Sequence, residues 1–329
     1  MSFALLLAGV VLAQSPSLLV LSKGDHTLSI VDPGTLKVLG KMPSGEDPHE
    51  VEASPDGKFA YISNYGGGSL HTITVANLVD KKSGGEIDLG ALRGPHGLMY
   101  LGGKLWFTAE GAKAIGSYDP ASKKIDWILG TGQGRTHMIW VSHDLTRIVT
   151  SNVSSATMTI IDKTSGGSRL VTGRGPAGPP QPDWNETVIP VGRGAEGFDV
   201  APGEKELWAA NAQDGTISIL DLVTKRVAAT LNANVGGANR LKFTPDGRRV
   251  LVSTLSGPDV IVLDADTHSE IKRIKVGTGA AGIQMRPDGA VAYVACTPDS
   301  YVAIIDLKSL TVTGHIDAGK NPDGLAWIQ

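Results

Sequence analysis

The chain has 329 residues and a net charge of −3, so it lacks the basic field that dominates nucleic-acid binding, and nucleic acid is not the expected partner. A single cysteine, Cys296, excludes an intramolecular disulfide framework and any multi-cysteine metal site. With 42 glycines, 18 prolines and no long helical pattern, the composition points to one turn-dense, all-β domain.

The chain opens on an apolar run over residues 3–13 that ends Val11-Leu12-Ala13, a small-residue pattern of signal-peptidase type. Residues 1–13 are therefore expected to be a signal peptide, although the usual basic start is missing and an ordinary buried strand is the alternative. The run falls short of the ~20 residues that span a bilayer. The expectation is a periplasmic or secreted bacterial protein with no transmembrane anchor once the signal is removed.

From residue 14 onward the chain repeats itself. A short apolar entry strand, a turn, a second strand reading like Tyr61-Ile62-Ser63-Asn64, and a third strand that ends in aspartate in six places recur along it. The turn is Ser54-Pro55-Asp56-Gly57, Thr244-Pro245-Asp246-Gly247 and Arg286-Pro287-Asp288-Gly289, and the aspartates are Asp32, Asp119, Asp162, Asp221, Asp264 and Asp306. Such a period means that each unit is one supersecondary piece that must stack on its neighbours.

Aligned on the residue before the first apolar pair, the units give His49, His96, His137, Glu196, Asn239, Ala281 and Asp323. Seven positions imply seven units, but the last unit stops after an entry strand. The rest of it lies at the other end of the chain, and residues 323–329 with 14–48 make one period. The expected architecture is a seven-bladed β-propeller over residues 14–329, with four-stranded antiparallel blades. Pairing of the C-terminal strand with the N-terminal blade closes the ring, which leaves no blade unpaired. Blade four carries an insertion at about 165–186 that includes the Pro/Gly-rich Gly175–Pro182. This stretch cannot supply ladder hydrogen bonds and reads as a surface excursion.

The unit Pro48-His49-Glu50-Val51, Asp56-Gly57-Lys58, Tyr61-Ile62-Ser63-Asn64 resembles the YVTN-type (YncE-like) β-propeller repeat over essentially the whole chain. The third blade, Leu105-Trp106-Phe107-Thr108-Ala109-Glu110 with Ile115-Gly116, is also similar to the virginiamycin B lyase type of repeat. The resemblance implies the fold and leaves the function open, because binding proteins and enzymes share it.

The inner strand of each blade lines the central channel, so the seven aligned residues form one ring at one mouth. With a channel radius of ~8 Å, neighbouring α-carbons stand ~7 Å apart. Three histidines from consecutive blades then converge on one ion at the ~2.1 Å bonds of zinc-like metals. His49, His96 and His137 are the candidate ligands of a divalent metal ion such as zinc, iron, manganese or copper, with Asp323 flanking them. A histidine facing a wet channel without metal is the plain alternative. A second ring is read at the ends of the second strands as Lys23, Asn64, Glu110, Asn152, Asn211, Thr254 and Cys296. Glu110 and Glu196 are the candidate catalytic acid or base. Arg135 and Arg193, with Asn239, Asn64, Asn152 and Asn211, are the candidate substrate contacts. A rim of guanidinium groups favours a small anionic ligand.

No phosphate loop, nucleophile elbow, zincin helix or haem-attachment cysteine pair is present, so no organic cofactor is indicated. Two functions fit. One is a metal-dependent hydrolase or lyase acting on a small anionic molecule, and the other is a non-catalytic extracytoplasmic propeller that binds a ligand or a protein partner.

Overall fold

The computed structural model describes residues 15–164 and 183–329. The expected signal segment and the Gly175–Pro182 core of the insertion lie outside the described residues. Seven antiparallel sheets of four strands form the described part, and each sheet runs from a first strand at the channel to a fourth strand at the rim. No helix among the described residues is long and apolar enough to cross a membrane.

Closure of the ring is as the repeat arithmetic requires. The C-terminal strand Pro322–Ile328 pairs antiparallel with Ser17–Ser22, with Ile328 opposite Ser17 and Trp327 opposite Leu18. Blade one is thus built from both ends of the chain, and no blade is left to fray.

The turn motifs hold the blades locally. In Ser54-Pro55-Asp56-Gly57 the Gly57 amide donates to the Ser54 carbonyl at 2.8 Å, and Gly57 sits at φ +69°, a region that only glycine enters at little cost. Ser54 Oγ donates to Asp56 at 2.6 Å and accepts the Phe59 amide at 3.0 Å. Thr244 repeats this with Asp246. The aspartates after the third strand cap the next turn: Asp264 accepts the Thr267 amide at 2.8 Å, and Asp306 accepts the Ser309 amide at 2.7 Å. Asp162 departs from the pattern and pairs with Arg147 and Lys225 instead.

Blade four departs from the expected boundaries. Its third strand runs Thr157–Thr164 and its fourth Asp183–Pro190, with Thr164 opposite Asp183 and Asp162 opposite Asn185. Residues 183–186, expected to be part of the loop, therefore extend the ladder.

The apolar core lies between blades. Leu251, Val260 and Val262 of blade six pack with Ala292, Val294 and Ala303 of blade seven, and Leu19 and Leu21 of blade one pack with Ala60 and Ile62 of blade two. Each fully buried Leu, Ile or Val among them stabilises the stack by ~1.5–3 kcal/mol. The fourth strands carry the solvent edge: Glu270–Lys275 is charged and largely exposed, which blunts edge-to-edge association.

Candidate functional site

All seven ring residues occupy the same place, second in the inner strand. Those strands are Pro48–Ala53, Pro95–Leu101, Thr136–Val141, Ala195–Val200, Ala238–Phe243, Ala280–Met285 and Pro322–Ile328. Each ring residue also sits in a β-bulge. Pairing to the second strand shifts between Pro48 and Val51, Pro95 and Leu98, Thr136 and Ile139, and at the matching place in the other blades. A bulge leaves backbone groups without ladder partners and re-aims the side chain.

A hydroxyl on the second strand makes good the loss. Thr108 Oγ1 accepts the Gly97 amide at 2.9 Å and donates to the His137 carbonyl at 2.8 Å. Ser151 relays in the same way from the Met138 amide to the Glu196 carbonyl, and Ser253 from the Arg240 amide to the Ala281 carbonyl. One blade's bulge is thereby tied to the next blade's ring residue. Gly97 completes the fit, since a Cβ there would lie 2.6 Å from the His137 carbonyl oxygen.

The structure brings His49, His96 and His137 together. The rings of His49 and His96 have centroids 5.2 Å apart, and those of His96 and His137 are 3.8 Å apart. His137 is held between two carboxylates. Its Nδ1 bonds Glu110, and its Nε2 lies 3.0 Å from Glu196, off the line of a hydrogen bond. Burial alone would lower the pKa of His137, but the charge of Glu196 and the bonds to Glu110 outweigh it and raise the value to about 9. Burial would raise Glu110 and Glu196, yet contact with His137 holds both below the usual carboxylate range.

His96 is the opposite case. It is 3% exposed, and burial, followed by the neighbouring His137 and His49, pushes its pKa well below the ordinary value. Its Nδ1 is buried without a hydrogen-bond partner, 4.0 Å from Glu50. His49 is also lowered, by burial and then by Lys23. Its Nε2 meets Lys23 Nζ at 2.7 Å and its Nδ1 meets the Asp47 carbonyl at 3.0 Å. Lys23 in turn lies 3.3 Å from Asp323.

Several expected contacts lie elsewhere. The residues paired at the ends of the second strands are Asn64, Ala109, Asn152, Asn211, Thr254, Cys296 and Ser22. Lys23 and Glu110 thus stand one place beyond the ring first assigned to them, level with Tyr65. That one-residue offset is why they reach the mouth and the asparagines do not. The amides of Asn64, Asn152 and Asn211 donate to Thr72 and Thr74, Thr157 and Thr159, and Thr216 and Ser218 within their own blades, while the Oδ1 atoms of Asn64 and Asn211 are buried without a partner. Asn239 is buried, with an unpartnered Oδ1. Arg193 lies exposed on the rim, paired with Asp214 at 2.7 Å, whereas Arg135 reaches Glu110 at 3.4 Å.

Tyr65 was not found by sequence reasoning. Its hydroxyl donates to Glu110 at 2.5 Å, its ring meets His49 and His96 edge-on, and burial followed by Glu110 pushes its pKa up to about 12. The available signal was its place directly after Tyr61-Ile62-Ser63-Asn64.

Among the described residues no group of three or more His, Cys, Asp or Glu is arranged to hold a metal ion. The nitrogens of His137 face carboxylates and those of His49 face Lys23 and a carbonyl. A shared ion would require both rings to leave these partners.

Fold and site together define a seven-bladed β-propeller with a buried histidine–carboxylate cluster at one channel mouth. The chain matches no protein-family model and no curated protein. Among solved structures it is similar to a protein of unknown function from Desulfotomaculum acetoxidans, at 14% identity and a TM-score of 0.75 over 96% of this chain and 99% of that one. A Bacteroides fragilis protein described provisionally as a 6-phosphogluconolactonase matches at 15% identity and a TM-score of 0.74, over 95% and 98% of the two chains. Hydrazine synthase of Kuenenia stuttgartiensis matches at 18% identity and a TM-score of 0.66, over 84% and 88%. At these identities the likeness is one of fold alone.

Proposed function

We propose that the mouth is an acid–base site that hydrolyses or cleaves a small anionic molecule. The observation that carries this reading is the pair of buried rings, His96 and His137, with centroids 3.8 Å apart in environments that push their pKa values in opposite directions. Titratable neighbours driven apart in this way supply an acid and a base at one pH.

For an ester or lactone the steps follow directly. Neutral His96 takes a proton from water as the water oxygen bonds to the carbonyl carbon, and the His137 imidazolium stabilises the negative oxygen that develops. The C–O bond then breaks, and His96 returns its proton to the leaving oxygen. Glu110 and Glu196 keep His137 charged, Tyr65 orients Glu110, and Arg135 with Lys23 attracts the anionic group. A cyclic ester bearing a phosphate or carboxylate is the first class to test, a choice prompted by the description of the Bacteroides fragilis neighbour. Export to the periplasm, the signal segment at 1–13 and kinship to the YVTN-type repeat belong to this proposal. The last is supported by Tyr61-Ile62-Ser63-Asn64 serving as a second strand.

A second reading is a divalent ion held by His49, His96, His137 and Asp323, favoured by the orphaned, buried Nδ1 of His96. Elemental analysis of untagged protein and of the triple alanine variant of the three histidines tests it by metal content alone. The acid–base reading is tested by turnover of anionic lactones and esters by metal-free protein, His96→Asn and His137→Asn. Turnover lost in both folded variants supports it. Absence of turnover in the natural protein, with a retained ligand or partner, supports the non-catalytic binding propeller.

A further inference from the structure

Beyond the ring the channel holds a separate cavity of ≈ 300 Å³. Its walls come from all seven inner strands, at positions one to three residues further along each strand than the ring. Glu50 of blade two and Arg240 of blade six are joined by an ion pair across its ring-side end, and none of the three clustered histidines lines it. The volume matches the lower end of small-molecule sites.

The lining has a definite chemistry. Trp140, Phe198, Met99 and Met138 give it an aromatic and thioether wall. Its charges are Glu50, Glu52, Asp199, Arg240 and Lys242. Glu50 is paired with Arg240, and Asp199 lies 3.6 Å from Lys242. Glu52 has no ion-pair partner among the described residues and accepts only the Tyr100 amide, at 3.4 Å. The lining therefore holds three carboxyls against two cations, beside aromatic faces that attract cations. Burial pushes the Glu52 carboxyl up to about 7, against the bond from the Tyr100 amide and the weaker pull of the Lys242 charge.

We propose that this cavity is a second binding site, distinct from the histidine mouth, for a small organic cation whose ammonium group sits on Glu52 and whose apolar body packs on Trp140 and Phe198.

The test is calorimetric titration of the full chain with benzylammonium and with the neutral isostere benzyl alcohol at pH 8. Saturable one-to-one binding of the ammonium is expected, with the alcohol ~10-fold weaker or more, the usual margin for a charge-assisted bond. Glu52→Gln should bring the two together. Affinity for the ammonium should fall by up to ~tenfold per pH unit below Glu52's transition, as Glu52 takes up a proton and loses its charge. If Glu52→Gln fails to fold, the alcohol comparison and the pH series on the unaltered protein decide the matter. Equal affinity for alcohol and ammonium, an unchanged Glu52→Gln, or no saturable binding overturns the proposal. So does loss of binding in His137→Asn, which would place the ligand at the mouth.

Discussion

The carboxylate of Glu50 in blade two meets the guanidinium of Arg240 in blade six, so two inner strands that are not neighbours are joined across the channel. Both side chains are largely buried, and burial lowers the pKa of Arg240. Removing one partner strands a buried charge, which costs ~3–5 kcal/mol, whereas replacing both with apolar residues costs far less. Glu50→Ala is therefore expected to lose several kcal/mol of unfolding free energy, and Glu50→Leu with Arg240→Met to recover most of it in urea denaturation.

The hydroxyl relay gives a second expectation. Thr108→Val keeps the shape of a fully buried side chain but leaves the Gly97 amide and the His137 carbonyl without their shared partner. The cost should be about 1–3 kcal/mol per unsatisfied group. Turnover should fall further than stability does, because the backbone that carries His137 is displaced.

Gly97→Ala places a methyl group against backbone of the next blade, with the His137 carbonyl oxygen at 2.6 Å and the Met138 Cα at 2.8 Å. Backbone cannot swing aside as a side chain can, so a loss of ~1–3 kcal/mol or more is expected. A thermal melt compared with Gly130→Ala, whose Cβ would meet nothing within 4 Å, checks it.

His137 makes stability depend on pH on the alkaline side. Its pKa is raised by folding to about 9, so its contribution is complete below its ordinary value near 6.5 and is lost as pH rises through about 9. That contribution is of order 2–4 kcal/mol. Urea unfolding at pH 7 and pH 9.5 should show a drop that His137→Asn lacks.

Cys296 is fully buried, and burial pushes its thiol up to about 12. A thiolate is the reactive form, so the native protein should resist alkylation and the urea-unfolded protein should react at once. Rapid labelling of the native chain would place this residue at an accessible surface.

The sequence by itself determined the architecture and the ring. Each blade is a local unit, so Asp56-Gly57, Asp264 and the entry strands recur wherever the same turn and the same burial recur. The seven ring residues could be aligned because all of them share one bulge. Closure was legible for the same reason: a fragment at Pro322–Ile328 needed the strands that begin at Ser17.

Only the tertiary structure decided what those residues meet. The one-residue offset that lifts Lys23, Tyr65 and Glu110 to the mouth arises from pairing register, which composition does not reveal. Glu110 of blade three and Glu196 of blade five close on His137 from both sides and favour its charged form, while burial and the neighbouring His137 and His49 push His96 toward the neutral form, its nearest carboxylate, Glu50, standing 4.0 Å away. These contacts join residues of different blades that come together only when neighbouring blades pack, so no local pattern encodes them.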